Sequence, residues 1–299
     1  MSKDLKIGFA LLTHSNAKQI YRLTSLLTQM FPGCEISWHH DFKKEPSVKR
    51  GTLPNIRLVN DYISPSWGRF SIVEAGIKAL RNFRNSAKPP DWIYLLSGSD
   101  FPVKPSHYIT NFLRETAFDV FVSHVNLSEL LPQTETQKDL KFRYFYEGVF
   151  PTKYTCFAGE QWFAANMKAV NFLLETVDNS PDLIAHYKLL ESTKGAICPD
   201  ESFYHTIFCN SSNLNISNSC LTYIDWSEND SSPSTLEMGD FGRIVNSSAH
   251  FARKFDSERD DKILNALETF CFSVEHCSEK LNLIEQSVKP KSWMDVYFK

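Results

Sequence analysis

Two short segments of the chain carry residue types that could act on a substrate. Asp200 and Glu201 follow Pro199, and a carboxylate within hydrogen-bond reach is the usual group that takes a proton from an attacking hydroxyl. Arg253 and Lys254 offer a guanidinium fork and an ammonium, which could bind an anionic group such as a phosphate. Both segments also have a structural interpretation. The carboxylates could satisfy free N–H groups at a helix start, and the basic pair could be a solvated strand end.

Polar side chains that follow the first two predicted strands form another group. His39, His40 and Asp41 come directly after the strand predicted for Glu35–Trp38, and His14 lies just past the first strand. The carboxyl end of a strand in an α/β sheet is a suitable place for contact with a nucleotide. A chance polar turn is the plain alternative. A metal site is a weaker one, because no further ligand is spaced nearby.

Several well-known nucleotide-binding and catalytic motifs are absent from the sequence. It contains no G-x-x-x-x-G-K-[ST], no G-x-G-x-x-G and no G-x-S-x-G, which argues against P-loop, dinucleotide-binding and serine hydrolase classes. The D-x-D pair that holds Mg²⁺ or Mn²⁺ in many sugar-nucleotide enzymes is also missing. At the end of the strand predicted for Trp92–Leu96, the following turn offers a single carboxylate, Asp100, where a metal site needs two.

Five segments of the chain follow the order and rough spacing of a known family. They are Ser66-Trp67-Gly68, Leu96–Pro102, Gly159–Phe163, Pro199–Phe203 and Phe251–Asp256. Together they resemble the core-2/I-branching N-acetylglucosaminyltransferases and peptide O-xylosyltransferases (glycosyltransferase family 14) over most of the chain. This resemblance implies a GT-A-type fold without the metal motif, a UDP-sugar donor and inversion at the anomeric carbon. No metal cofactor is therefore expected.

The resemblance also implies roles for the charged residues. Glu201 falls on the family's catalytic base, while Arg253 and Lys254 fall on its diphosphate-binding basic pair. An upstream arginine that the branching enzymes use is absent, and the equivalent stretch here is Asn229–Ser232. Arg253 matches the xylosyltransferase form and is expected to replace it.

Nucleotide contacts are implied by the family's H-x-D turn, which meets uracil and ribose. His39 and Asp41 match this turn, and His14 is a candidate for the same nucleotide-binding site. Trp67 could stack near the nucleotide, although an ordinary core or surface tryptophan is almost as good an interpretation.

The predicted donor-sugar and acceptor pocket contains Asp100, Gln161 and Trp162. Asp100 is expected to orient either the donor sugar or the turn in which it lies. Gln161 stands where the xylosyltransferases have an aspartate. N-acetylglucosamine is therefore favoured as the transferred sugar, with xylose as the second choice.

Hydrophobic periodicity predicts the elements that position these residues. Strands are expected at Ile7–Leu12, Glu35–Trp38, Ile56–Val59, Trp92–Leu96, Phe118–Ser123 and Leu221–Trp226. Helices are expected at Ala17–Met30, Ser71–Phe83, Ala165–Val177, Pro199–Cys209, Ser234–Val245 (capped by Ser234) and Asp261–Phe272. The alternation predicts an α/β/α sandwich around one mostly parallel sheet. On the helix predicted to contain Glu201, Asp200 is expected to point elsewhere, so that only one of the two can serve as base.

We expect one catalytic domain over residues 1–299. Its nucleotide-binding half covers about 1–125, its acceptor-binding and catalytic half about 126–256, and a helical tail 257–299. The irregular stretch Leu127–Pro151 mixes charges with aromatic residues and is expected to line a cleft.

Composition narrows the class of protein and its partners. The chain is 42% hydrophobic and has a formal net charge of −3. It therefore lacks the excess of basic residues that is typical of nucleic-acid-binding proteins. No stretch approaches the ~20 apolar residues of a transmembrane helix, and the N-terminal apolar run is too short for a signal peptide. The seven scattered cysteines are typical of free thiols in a reducing compartment. We therefore expect a cytoplasmic protein, at most peripherally bound to membrane, that uses a UDP-sugar and a glycan, lipid-linked glycan or other carbohydrate acceptor.

Two other function classes compete with the transferase. A carbohydrate- or nucleotide-binding pseudoenzyme would keep the fold and lose the base, yet Glu201 and Lys254 are both present. A glycoside hydrolase with paired carboxylates is less favoured, because the basic pair would have little purpose in it.

Overall fold

The elements of the fold come from a computed structural model that describes residues 5–49, 54–145, 150–227 and 232–273. Its strands are β1 (Ile7–Thr13), β2 (Glu35–His40), β3 (Ile56–Leu58), β4 (Trp92–Ser97), β5 (Phe101–Pro102), β6 (Val120–Phe121), β7 (Val125–Asn126), β8 (Phe157–Ala158), β9 (Ala164–Asn166), β10 (Ile216–Ser217), β11 (Thr222–Ile224) and β12 (Phe251–Arg253). Its α-helices are α1 (Ala17–Met30), α2 (Phe70–Arg84), α3 (Ser106–Glu115), α4 (Glu135–Tyr144), α5 (Met167–Asn179), α6 (Pro181–Lys194), α7 (Phe203–Cys209), α8 (Phe241–Asn246) and α9 (Asp261–Phe272). Short 3-10 turns occupy Pro199–Glu201 and Met238–Asp240.

A seven-stranded sheet in the order β10-β6-β9-β4-β1-β2-β3 forms the centre of the protein. Strand β9 runs antiparallel to both of its neighbours, and the other pairings in this sheet are parallel. Parallel neighbours need crossover connections, which α1 and α2 supply between the strands of the first half. The predicted α/β fold with one mostly parallel sheet is confirmed.

Both faces of this sheet are covered by helices. In β1, Ala10 belongs to the apolar cluster that also contains side chains of α2, α5, α6 and α7, whereas Phe9 and Leu11 belong to the cluster that contains side chains of α1, α3 and α9. Successive side chains of a strand point to opposite faces, so a strand buried on both sides reads as a continuous apolar run. This explains why Ile7–Leu12 carries no polar residue and confirms the predicted sandwich.

A small second sheet in the order β11-β12-β5 stands beside the end of β4. Strand β12 pairs parallel with β11 and antiparallel with β5, which places Ala252 opposite Phe101. Phe251 and Ala252 are fully buried, and Phe255 nearly so. The apolar flanks of the basic pair therefore anchor it against a core, which excludes a solvated strand end.

The helix predicted for Pro199–Cys209 is broken. Pro199–Glu201 is a 3-10 turn, Ser202 is not helical, and α7 begins only at Phe203. The carbonyl of Glu201 accepts a hydrogen bond from Gly159 N (2.8 Å), and the hydroxyl of Ser202 donates to Phe157 O (2.7 Å). These tertiary hydrogen bonds replace the helical ones, so the prediction of a continuous helix is wrong.

The helix predicted for Ser234–Val245 starts later than expected, and Ser234 does not cap it. Here Ser234 N donates to Asp225 O (2.9 Å), and Leu236 N donates to Lys254 O (2.8 Å). The first part of the segment thus runs along the chain that follows β12 instead of coiling. Helical structure begins with the 3-10 turn at Met238–Asp240, which leads into α8.

Other expected boundaries shift by a few residues. The helix predicted from Ala165 begins at Met167, because Ala164–Asn166 pairs as β9, and the side chain of Asn166 caps α5 by accepting from Ala169 N (3.0 Å). Leu127–Pro151 contains α4. The predicted tail 257–299 begins with α9, and residues 274–299 lie outside the described ranges.

Two expectations from the sequence concern membrane-spanning helices and the state of the cysteines. Among the residues that the structure describes, no helix is long and apolar enough to cross a bilayer. Within those ranges, Cys34, Cys156, Cys198, Cys209 and Cys220 carry free thiols. The cytoplasmic location stays a prediction.

Gly159 provides a test of how the segment that carries the candidate base is held. A Cβ built on Gly159 would lie 1.8 Å from Ser123 O, so the backbone would have to move. We expect Gly159→Ala to lower the free energy of unfolding by about 1–3 kcal/mol or more, as overpacked cores do. Urea denaturation measures this, with Gly239→Ala as control, since a Cβ there meets nothing within 4 Å. Equal stability of the two variants would contradict the close approach.

Candidate active site

The carboxyl ends of β1, β2 and β4 open on a cleft of about 310 Å³. The register places Thr13 beside His40 and Leu12 beside Ser97, so these strand ends lie side by side. This is the edge of an α/β sheet at which ligands bind. Most of the predicted site residues line the cleft: His14, His39, Trp67, Gln161, Trp162, Glu201, Arg253 and Lys254.

Glu201 is held by one of its two carboxylate oxygens. The Tyr144 hydroxyl lies 3.1 Å from Oε2 and 2.9 Å from Cys198 O, so a single proton serves two acceptors. Arg143 Nη1 lies 3.4 Å from the same Oε2. Within the described ranges, Oε1 makes no hydrogen bond or ion pair. Glu201 therefore keeps one oxygen available to a ligand in the cleft.

Asp200 lines the same cleft as Glu201, which corrects the expectation that it points elsewhere. Neighbours in a regular α-helix diverge, but these two lie in a 3-10 turn that follows Cys198 in the left-handed backbone region (φ 49°). Burial raises the pKa of both carboxyls, and repulsion from Asp200 adds to the rise for Glu201. Arg143 and Tyr144 oppose this rise.

Arg253 reaches the cleft from the end of β12 and is held on two sides. Its guanidinium lies 4.2 Å from the centre of the Trp162 ring, a cation–π contact. Its Nε lies 3.5 Å from Asp100 Oδ1, and Asp100 is fully buried. Burial lowers the pKa of the Arg253 guanidinium, and Asp100 opposes that effect. Trp162 thus both lines the cleft and orients a cation.

Asp100 contacts the turn after β4 and Arg253 without itself lining the cleft. Its Oδ2 accepts a hydrogen bond from Ser97 N (2.6 Å) and another from the Ser97 hydroxyl, which closes the turn after β4. Among the described residues that line the cleft, Asp100 is missing. Asp100 was expected to orient either the donor sugar or its own turn. The structure shows that it orients the turn, and it also forms the ion pair with Arg253.

Lys254 follows Arg253 and lines the cleft beside it. Its Nζ donates to the hydroxyl of Ser232 (2.6 Å), which belongs to the stretch where the branching enzymes have their extra arginine. Burial and the neighbouring Arg253 lower the pKa of Lys254 to about 8. The ammonium is thus charged at neutral pH and gains from an added anion.

The histidines at the strand ends act as neutral groups. Burial lowers the pKa of His39 to about 4, and its Nε2 accepts a hydrogen bond from Ile63 N (3.1 Å). Burial and Lys44 lower the pKa of His14. Both histidines line the cleft, where neutral rings can exchange hydrogen bonds with a base or ribose.

Asp41 shapes the turn after β2 rather than the cleft surface. Its carboxylate accepts hydrogen bonds from the Ser64 hydroxyl (2.6 Å) and Lys43 N (3.1 Å). Among the described lining residues of the cleft, Asp41 is absent. Its pKa is lowered, because these hydrogen bonds outweigh the opposing effect of burial.

Trp67 lines the cleft and is 69% exposed. The carbonyl of the next residue, Gly68, accepts hydrogen bonds from Ile197 N (2.9 Å) and Cys198 N (3.1 Å). The Trp67 loop is therefore tied to the segment that leads into Glu201. Contact of Trp67 with the nucleotide stays a prediction.

Several cleft residues were not singled out from the sequence. Glu160 lines the cleft and accepts a hydrogen bond from Trp226 Nε1 (3.1 Å), and Lys44 and Ser232 line it as well. Glu160 could have been found, because it belongs to the Gly159–Phe163 segment. Lys44 and Trp226 lie outside every motif, and only the fold brings them to the cleft.

A protein site for a metal ion needs several ligand side chains close together. Within the described part of the chain, no group of three or more His, Cys, Asp or Glu side chains could hold a metal ion.

Comparison with known families agrees with the sequence motifs. The model of the core-2/I-branching enzymes matches residues 14–245. The chain belongs to the core-2/I-branching enzyme family. Four of the five motif segments lie within this match, and the fifth, the basic segment Phe251–Asp256, follows it.

Curated proteins similar to this branching-enzyme family member transfer different sugars, according to their names. The xylosyltransferase oxt of Drosophila melanogaster is 25% identical over 316 residues, covering 94% of this chain and 35% of that protein. The beta-glucuronosyltransferase GlcAT14B of Arabidopsis thaliana is 27% identical over 198 residues, covering 60% of this chain and 43% of that protein. The chain thus spans about a third of the length of the xylosyltransferases that it matches.

A structural comparison gives a weaker likeness. The crystal structure of the galactosyltransferase LgtC with donor and acceptor sugar analogues aligns with a TM-score of 0.41 at 12% identity. The alignment covers 91% of this chain and 98% of that one.

The hydrogen bond from Tyr144 to Glu201 generates a prediction. The hydroxyl donates to the charged carboxylate, so Tyr144→Phe should move the pKa of Glu201 to a still higher pH. A ¹³C NMR titration of the Glu201 carboxyl measures this. The control is Tyr154→Phe, which removes a hydroxyl bonded to Ser180 and leaves Glu201 untouched. An unchanged titration in both variants would show that Tyr144 does not tune Glu201.

Proposed function

We propose that the chain is an inverting glycosyltransferase that moves a sugar from a UDP-sugar to a carbohydrate acceptor, with Glu201 as general base and no metal. The observation that carries this proposal is that a carboxylate and two cationic side chains line the same cleft. Glu201 has one anchored and one available carboxylate oxygen, and Arg253 and Lys254 line the same cleft. A base and two fixed cations are the groups that a single-displacement transfer from a diphosphate requires.

In the reaction that we propose, each of these groups has one role. The acceptor hydroxyl transfers its proton to Glu201 as its oxygen forms a bond to the anomeric carbon of the donor sugar. The bond from that carbon to the diphosphate oxygen breaks on the opposite side, and its electron pair leaves with UDP. Arg253 and Lys254 compensate the negative charge that develops on the diphosphate. One displacement inverts the configuration at the anomeric carbon.

The raised pKa of Glu201 suits it to this role. A carboxyl in a buried, negatively charged surrounding is a stronger base than a solvated one, and base catalysis is most effective when the pKa approaches the working pH. Because the carboxylate form is the active one, turnover should fall as the pH drops through this raised pKa.

The donor sugar is proposed from Gln161 and from the relatives. The xylosyltransferases have an aspartate at the position of Gln161, so we favour N-acetylglucosamine and keep xylose as the second choice. A relative from bovine herpesvirus 4, 22% identical over 222 residues, is named a beta-1,6-N-acetylglucosaminyltransferase.

A glycoside hydrolase is the second candidate, because Asp200 and Glu201 line the cleft together. The two candidates differ in what they need from Arg253 and Lys254, which a hydrolase leaves idle. UDP should therefore raise the melting temperature if the chain is a transferase or a nucleotide-binding pseudoenzyme, and not if it is a hydrolase.

The metal-free mechanism predicts resistance to chelation. Since Arg253 and Lys254 supply the positive charge, UDP should raise the melting temperature equally with and without EDTA, and UDP release from a UDP-sugar should continue in EDTA. Activity that disappears on chelation and returns with Mn²⁺ would contradict this mechanism.

Lys254→Ala should weaken UDP binding about 10- to 100-fold at pH 7, because a hydrogen bond to a charged group contributes about 1.5–3 kcal/mol. Uridine, which lacks the diphosphate, should bind almost as before. In the wild type, affinity for UDP should fall as the pH rises from 7 to 9, since Lys254 loses its charge above a pKa of about 8.

Calorimetric titrations at several pH values test this proposal for Lys254. The control is Lys168→Ala, since Lys168 pairs with Asp119 outside the cleft. An equal loss of uridine and UDP binding in Lys254→Ala would assign this residue to structure rather than to the diphosphate.

Glu201→Gln keeps the shape of the side chain and removes its basicity. Transfer should fall about 10²–10⁴-fold, the usual contribution of a general base, while UDP binding should change little. The melting temperature at pH 7 should stay level or rise, because a raised folded pKa means that the fold disfavours the ionised carboxylate.

The kcat of the Gln variant beside its melting temperature decides between catalysis and structure. Glu175→Gln is the matched control, because Glu175 is exposed on α5. Normal turnover together with a lowered melting temperature would make Glu201 a structural carboxylate.

A further inference from the structure

Asp200 and Gln161, which both line the cleft, each carry a buried polar atom that lacks a hydrogen-bond partner among the described residues. Asp200 is only 8% exposed, and within the described ranges its Oδ1 is buried without a hydrogen-bond partner. Gln161 Nε2 is likewise buried without an acceptor among the described residues. Both residues line the cleft. One is an acceptor without a donor, and the other is a donor without an acceptor.

Such groups are uncommon in folded proteins. More than about 90% of buried polar groups have a hydrogen-bond partner, and each one without a partner costs about 1–3 kcal/mol. The charges of Arg253 and Arg143 act on Asp200, but neither arginine donates a hydrogen bond to its Oδ1, because Arg253 Nε is paired with Asp100 and Arg143 contacts Glu201. The unsatisfied pair is therefore a candidate for contact with a ligand.

The position of Asp200 indicates which part of a ligand it would meet. Asp200 adjoins Glu201, the proposed base, and it interacts electrostatically with Arg253, the proposed diphosphate ligand. In an inverting transfer, the transferred sugar must lie between the base and the diphosphate, because the acceptor oxygen and the leaving oxygen attach to the same carbon. Asp200 thus lies where hydroxyl groups of that sugar come within reach.

We propose that Asp200 and Gln161 together bind the transferred sugar through its hydroxyl groups. A sugar hydroxyl donates its proton to Asp200 Oδ1, and Gln161 Nε2 donates to the oxygen of the same or an adjacent hydroxyl. This inference rests on the proposed function, adds Asp200 to it as a specificity-determining residue, and gives Gln161 a defined hydrogen bond to the sugar. It also gives Asp200 a role distinct from that of Glu201, although the two are neighbours in sequence.

Hydroxyl groups fit this pair better than other chemical groups do. A hydroxyl is both donor and acceptor, so one group can satisfy both side chains. A buried site that hydrogen-bonds a hydroxyl discriminates strongly against a donor that lacks it, because the protein groups are then left unpaired.

The test compares UDP with UDP-sugars in the wild type, Asp200→Asn, Asp200→Ala and Gln161→Ala. The probes are UDP-N-acetylglucosamine, UDP-xylose, UDP-glucose, UDP-galactose and UDP-glucuronate, screened first by UDP release with the wild type. For the donor that the wild type uses, Asp200→Ala should lower affinity about 10- to 100-fold while UDP affinity stays within about twofold. Gln161→Ala should show the same pattern with a smaller loss. Asp182→Asn is the control, because Asp182 lies outside the cleft and pairs with Lys153.

Deoxy analogues of the same UDP-sugar identify the hydroxyl. One analogue should bind the wild type as weakly as the parent donor binds Asp200→Ala, and for this analogue the substitution should cost little more. A merely structural Asp200 would reduce the affinity for every analogue, and for UDP, by the same factor, which would overturn the inference. The melting temperature of Asp200→Ala should not fall, since this variant removes an unsatisfied buried acceptor.

The outcomes separate this inference from the proposed function. If the wild type transfers from a UDP-sugar and Asp200→Ala keeps its affinity for that donor, the inference alone is wrong. If the wild type neither binds UDP nor uses any of these donors, the proposed function is wrong, and the inference falls with it.

Discussion

The cleft depends on one buried ion pair, between Asp100 and Arg253 (3.5 Å). Asp100 closes the turn after β4 in the central sheet, and Arg253 ends β12 in the small sheet. The residues that follow Asp100 form β5, which pairs with β12, so backbone pairing and ion pair join the two sheets at the same point. Removal of one partner of a buried pair typically costs about 3–5 kcal/mol, because a charge is left uncompensated. Asp100, a single carboxylate where a metal site would need two, therefore positions the Arg253 guanidinium.

Burial displaces the pKa of three ionisable groups of the cleft, Asp200, Glu201 and Lys254, from the values of solvated groups. Burial raises the pKa of Asp200 and Glu201 and lowers that of Lys254 to about 8. Each shift marks a charge whose hydration has been lost and only partly replaced by protein groups. A diphosphate near Lys254 and a polar ligand near Asp200 would restore what burial removed. The protein alone thus satisfies these groups less well than it would together with a substrate that carries a diphosphate and polar groups, which is how binding energy becomes available to orient a reaction.

Local patterns predicted the parts of the fold that local forces control. The apolar run Ile7–Leu12 and the periodic helix Ala17–Met30 appear as expected, because burial on two faces or on one face leaves a direct trace in the sequence. The helices expected at Pro199–Cys209 and Ser234–Val245 were wrong in their first halves. In both, distant backbone groups, Gly159 N and Lys254 O, take the hydrogen bonds that a helix would have made. No local propensity records the approach of a segment that is remote along the chain.

The same division holds for the candidate site. The sequence by itself determined the strand ends at the cleft, because these follow from residue types within short segments. Through the resemblance of its motifs to a known family, it also indicated Glu201 as the candidate base and the family to which the chain belongs. Only the tertiary structure decided that Asp200 shares the cleft with Glu201, that Asp100 lies behind Arg253, and that Asp41 closes a turn. It also brought in Tyr144 and Arg143, which hold Glu201 from 57 and 58 residues away. Burial, hydrogen-bond partners and pKa shifts depend on which remote segments meet in space, and the spacing of residues along the chain does not contain that information.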